Sequence, residues 1–70
     1  MMDLSKSEIE FLIDEWTVGK NAERDRKILR RRLLDGITFE KLAEESELSV
    51  RQTKAIVYKR QEAIFKHARG

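Results

Sequence analysis

Apolar residues recur three and four positions apart in four separate stretches, each preceded by a hydroxyl or amide side chain. This is the spacing of amphipathic helices with one buried face. In the first stretch the stripe is Ile9, Leu12, Ile13 and Trp16, and Ser5-Lys6-Ser7-Glu8 ahead of it reads as a capping box. Leu4 and Ile9 stand where a hydrophobic staple would close. Trp16, the largest apolar side chain, is expected to anchor the core, whereas Phe11 lies off the stripe. Thr17 to Asn21 reads as a loop with Gly19 as its flexible point and Asn21 as the next cap.

The second helix is expected over residues 22–35, burying Ile28, Leu29 and Leu33 with the stem of Arg32 and part of Leu34. Gly36 then supplies a left-handed residue to end it. Thr38 caps a short third helix of roughly eight residues, with Ile37 and Leu42 placed for a staple and Leu42 and Ala43 facing inward. Glu44, Glu45 and Glu47 face water, and Leu48 plugs the following turn. Ser49-Val50-Arg51-Gln52 forms a second capping box, opening a fourth helix. Its inward stripe is Val50, Thr53, Ile56, Val57, Arg60 and Ile64, extended by Phe65. The opposite face carries Arg51, Gln52, Lys54, Ala55, Tyr58, Lys59 and Glu62.

The expected fold is therefore all-α: a compact four-helix domain containing a helix-turn-helix. It spans 1–70 as one unit, divided into 1–20, 21–36, 37–48 and 49–67. A domain this small buries only roughly 60% of its unfolded surface. With no cysteine and a single histidine, His67, neither a disulfide nor a zinc site can reinforce it. Helix packing, caps or a partner chain must do so. His67 is instead expected near a helix C-terminus, where its charge suits the dipole. The absence of proline favours helices. No run approaches the roughly 20 apolar residues of a membrane span, and no signal-peptide pattern opens the chain. A cytoplasmic protein without a membrane partner is expected.

Charge changes this picture more than composition does. The net charge is only +2, but residues 1–23 carry two bases and six acids, and residues 24–32 six bases and one acid. Residues 33–50 carry one base and five acids, and residues 51–70 six bases and one acid. Such alternation describes either helix faces that pair with one another or a polarised molecule with one basic side for phosphates.

The stretch GITFEKLAEESELSVRQTKAIVYK, residues 36–59, joins a short helix, a leucine-plugged turn and a longer serine-capped helix. That is the layout of a helix-turn-helix. A small side chain at Ala43 lets the helices approach, Leu48 sets their angle, and the capped N-terminus can direct amides toward a phosphate. Glu23 to Lys59 resembles region four of bacterial sigma factors and the related helix-turn-helix regulators. The match runs through Arg24, Arg26, Ile28, Leu29, Arg32, Leu33 and Gly36, then Thr38, Glu40, Leu42, Ala43, Leu48, Ser49, Lys54 and Val57. The segment SVRQTKAIVYKRQEAIFKH is similar to small sigma-like proteins of phages and prophages. The family usually has glycine where this chain has Glu47, and leucine where it has Ser46. A left-handed Glu47 would be strained by roughly 1 kcal/mol. Seventy residues leave no room for a polymerase-binding, promoter-melting region, so the resemblance implies DNA binding rather than initiation of transcription.

Arg51, Gln52, Ala55 and Tyr58 are the candidate base contacts. Arginine suits guanine, glutamine suits adenine, and alanine can touch a thymine methyl. Gln52 has capping as a second role open to it, and Tyr58 has packing against a neighbour. Thr38, Ser49, Lys54, Lys59, Arg30 and Arg31 are the candidate phosphate contacts. The six bases of residues 24–32 cannot all face one way, because a helix turns about 100° per residue. Some of Arg26, Lys27, Arg30 and Arg31 are expected to reach DNA, whereas Arg32 lies inward and is expected to pair with a glutamate of the third helix.

No Gly-rich phosphate loop, nucleophile with a base, or carboxylate pair in an apolar setting is visible. No enzymatic activity, cofactor, metal or small-molecule substrate is expected. The leading expectation is sequence-specific binding of double-stranded DNA, as a transcriptional regulator or phage accessory factor. The rivals are a protein-interaction adaptor for RNA polymerase or a phage assembly component, and the DNA-recognition domain of a packaging complex. One such helix reads few base pairs, so a homodimer is an open possibility, with the acidic first helix and Phe11 as its interface.

Overall fold

The computed structural model describes residues 5–68, with side chains through Lys66. It contains four helices, α1 (Lys6–Trp16), α2 (Ala22–Leu33), α3 (Phe39–Ser46) and α4 (Val50–Ala68), and no strand among the described residues. Leu4, expected to close a staple, and the side chain of His67 lie outside the described set.

Local chemistry starts three of the helices where the sequence places them. Ser5 Oγ accepts from the Glu8 amide at 3.2 Å while Glu8 Oε1 accepts from the Ser5 amide at 3.3 Å, completing a capping box. Thr38 Oγ1 accepts from the Lys41 amide at 3.2 Å. At α4 the Gln52 amide donates to Ser49 Oγ, and Gln52 Oε1 accepts from the Ser49 amide, both at 3.1 Å. Each cap satisfies amides that the first helical turn leaves without partners.

Asn21 is the exception. It occupies the position before α2, but its backbone is left-handed (φ 64°) and its side chain makes no capping bond. A side-chain cap needs extended backbone to reach the second or third amide, and asparagine here serves instead as a non-glycine residue tolerant of positive φ. The other end of α2 also differs, since the helix stops at Leu33 rather than Asp35. Gly36, at φ 69°, supplies the expected left-handed residue after it.

Ile13, Ile28, Leu29, Leu42, Val57 and Ile64 form the buried core, flanked by Ile9, Leu12, Leu33, Ile37, Phe39, Leu48, Ile56 and Phe65. α2 and α4 each pack against all three other helices, whereas α1 and α3 do not meet. That asymmetry corrects the expectation for Trp16. Ile13 and Thr17 are wholly buried, but Trp16, the last residue of α1, is 39% exposed, and α1 packs only on α2 and α4. Phe11, off the stripe as expected, is 64% exposed.

The α3–α4 turn has the predicted strain. Glu47 is left-handed (φ 56°, ψ 38°), and its amide donates to the Ala43 and Glu44 carbonyls. Leu48, half-buried against the core, donates its amide to the Ala43 carbonyl at 3.0 Å. Ala43 is buried beside it.

Candidate nucleic-acid interface

Helix α4 divides cleanly into two faces. Thr53, Val57 and Ile64 are buried and Val50, Ile56, Arg60 and Phe65 half-buried, while Arg51, Gln52, Lys54, Ala55, Tyr58, Lys59 and Glu62 are all exposed. The buried Thr53 hydroxyl is satisfied by donating to the Ser49 carbonyl at 2.8 Å. Arg51 and Lys59 have no hydrogen-bond or ion-pair partner among the described residues. The side of α4 away from the core thus carries two cations without a partner among the described residues, Arg51 and Lys59, on either side of Ala55.

Both alternatives left open for this face prove to be occupied geometrically. Gln52 is a capping residue: its Oε1 accepts from the Ser49 amide and from Ser49 Oγ. Its amide NH2 alone remains to meet an outside group, so Gln52 is a donor, not the donor–acceptor pair that adenine requires. Tyr58 packs on a neighbour, with its ring edge-on to Phe39 at 5.8 Å, yet stays 56% exposed.

Phe39 was not among the sequence candidates. It stands at the first turn of α3, with the Arg32 guanidinium 4.2 Å and the Lys54 ammonium 5.6 Å from its ring centroid. Cations over an aromatic face are attracted to its quadrupole, so Phe39 tethers Lys54 and Tyr58 along the α3 side of the exposed face. Sequence carries little signal for it, because an aromatic after a cap reads equally well as core.

Arg32 does not pair with a glutamate of α3. Its Nη1 donates to the Ile37 carbonyl at 2.7 Å, fastening the α2–α3 connection. The glutamate pairing belongs to Arg31, whose Nε and Nη2 donate to the two Glu45 oxygens at 2.9 and 2.7 Å, while Nη1 reaches Asp35 at 2.8 Å. The hydrogen bonds that Arg31 donates to Glu45 and then to Asp35 raise its pKa further, and those to Glu45 hold that carboxyl below its ordinary range. Arg30 donates to Asp14 at 2.6 Å and Arg26 to the Asp14 carbonyl at 3.1 Å.

Arg30 and Arg31, candidate phosphate contacts, are thus both paired within the chain. Their guanidinium groups are engaged by carboxylates of α1, α3 and the α2 end, and they line a cavity of about 430 Å³ with Lys27, Ile28, Leu42 and Glu45, to which α4 contributes nothing. Thr38 and Ser49 are exposed and serve as caps, Lys54 leans on Phe39, and Lys59 has no partner among the described residues.

Asp25 is the polar residue that sequence reading passed over. It is 4% exposed, with Oδ1 accepting from Arg24 Nε at 3.1 Å and Oδ2 from Arg60 Nε at 2.9 Å. Arg60 also donates to the Val18 carbonyl at 2.9 Å and the Lys20 carbonyl at 3.3 Å, tying α4 to the α1–α2 loop. The available signal was a lone carboxylate inside a run of six bases. No family model, curated protein or solved structure matches the chain. Among the described residues, no cluster of His, Cys, Asp and Glu could hold a metal ion, and no helix is long and apolar enough to cross a membrane.

Proposed function

We propose that the chain binds double-stranded DNA by seating α4 in the major groove, with α3 and the Glu47 turn completing a helix-turn-helix. The observation that carries this reading is the exposed face of α4, where Arg51 and Lys59 have no partner among the described residues. Cations left free on a rigid helix can exchange their water and counterions for phosphates, whereas cations already paired gain little. Arg51 is positioned to meet a base edge, Ala55 leaves room for close approach, and Gln52 acts as a donor from the first turn. Lys54 and Lys59 flank them as phosphate contacts. The resemblance to sigma region four supports the same docking and suggests a transcriptional regulator or phage accessory factor.

Incubation with a random-sequence duplex pool at low salt, followed by selection, tests the reading. Binding is expected to weaken linearly in log–log form with salt, by about 0.9 per neutralised phosphate. Arg51→Ala should relax preference at one position, and Lys59→Ala should weaken all sequences alike. Absence of binding to the whole pool at low salt would sink the proposal. A second reading, a protein-interaction adaptor, is favoured by Phe11 and Val18, which are 64% and 59% exposed. Retention of a protein partner by a Phe11→Ser variant would count against it.

A further inference from the structure

The exposed face of α4 has two flanks. Lys54 and Tyr58 border Phe39 on the α3 side. At about 100° per residue, Ile56, Lys59 and Arg60 fall on the opposite flank, with Arg51 and Ala55 between the two. There they meet the α1–α2 loop and the start of α2 in a cleft of about 420 Å³, lined also by Lys20, Arg24 and Asp25. Four cations against one carboxylate leave the cleft three positive charges. Both oxygens of Asp25 are already engaged, by Arg24 and Arg60, so it neutralises neither Lys20 nor Lys59. Both lysines are exposed and have no partner among the described residues.

The cleft is also held in shape. Arg60 binds the backbone carbonyls of Val18 and Lys20, so the loop that carries Lys20 is fastened to the helix that carries Lys59. Two lysines without partners, carried by elements that Arg60 fastens together, make a place for one anion. A major groove has a sugar–phosphate strand on each side, and on this flank only Lys59 has been given a phosphate so far.

We propose that the Lys20–Arg24–Lys59 cleft is a second phosphate site, which takes a backbone phosphodiester of the strand across the groove from the α3 end. The proposal rests on the DNA-binding reading above. It makes the loop between α1 and α2 part of the interface and lets the domain grip both walls of the groove.

The test is the salt dependence of binding to the random duplex pool for the wild-type chain, Lys20→Ala and Lys27→Ala. Lys27 carries the same charge but lines the α2–α3 cavity instead. Lys20→Ala is expected to reduce the log–log slope by about 0.9, while Lys27→Ala leaves it at the wild-type value. Melting temperature should be unchanged in Lys20→Ala, because only the Lys20 backbone carbonyl, not its side chain, bonds to Arg60. If the wild-type chain binds and the two variants have equal slopes, the cleft is not a phosphate site and the DNA reading stands. If the wild-type chain shows no salt-dependent binding, both fall together.

Discussion

Residues 24–32 and residues 51–70 carry the same formal charge, six bases against one acid, yet the fold pairs most bases of the first run and fewer of the second. Along α2, Arg30 is paired with Asp14, Arg31 with Glu45 and Asp35, Arg24 with Asp25, and Arg32 with a carbonyl and the Phe39 ring. Along α4, Arg60 is tied down in this way and Lys54 leans on the Phe39 ring, but Arg51 and Lys59 have no partner among the described residues. α2 packs against all three other helices and brings its bases within reach of their acids, whereas the outer face of α4 has no helix opposite it. The difference teaches that a basic run leaves cations free only where no acid of another helix lies within reach.

The largest expected effect comes from the one residue that joins the two regions. Asp25→Ala leaves Arg24 and Arg60 facing each other without their shared carboxylate. Breaking a buried pair by removing one partner costs about 3–5 kcal/mol. With Arg60 20% exposed by side chain, the lower end is expected, measured as a fall in the urea midpoint. An unchanged midpoint would show that the Asp25 carboxylate contributes nothing to holding α4.

Next is the contrast in binding. Arg51→Ala should reduce discrimination at one base position by about 1–3 kcal/mol. Arg30→Ala should leave duplex affinity as it was and lower stability by less than about 1 kcal/mol, because its pair with Asp14 is largely exposed. Equal losses of affinity in both variants would erase the distinction drawn between the helices.

The smallest effect is a dependence on pH. Hydrogen bonds from Arg31 depress the Glu45 pKa from its ordinary 4.5. A depressed folded-state value means the pairing contributes above the unfolded pKa and is lost as pH falls through the folded one. Arg31, shifted upward, stays charged throughout this range. The gap in melting temperature between the wild-type chain and Glu45→Gln should therefore be present at neutral pH and close as pH falls below about 4.5. A gap that persists at lower pH would assign it to packing rather than to charge.

The features legible beforehand are those decided within a few residues. Ser5 with Glu8, and Ser49 with Gln52, close their caps across three positions, so no distant part of the chain is needed to form them. The stripe of Thr53, Val57 and Ile64 follows from helical period once α4 exists. Asn21 failed as a cap because its backbone is left-handed, in the loop whose Val18 and Lys20 carbonyls are held by Arg60 from the other end of the chain. Trp16 failed as an anchor because its exposure depends on which helices reach its side of α1.

Spacing and capping chemistry in the sequence alone determined that four helices form, where most of them begin, and which face of α4 turns outward. Tertiary structure decided which cations remain free. Ion pairs between α2 and its neighbours span up to 35 residues, and their formation depends on helix placement that short-range pattern does not encode. Both basic runs look alike in the sequence because charge is counted along the chain, whereas neutralisation depends on distance in space.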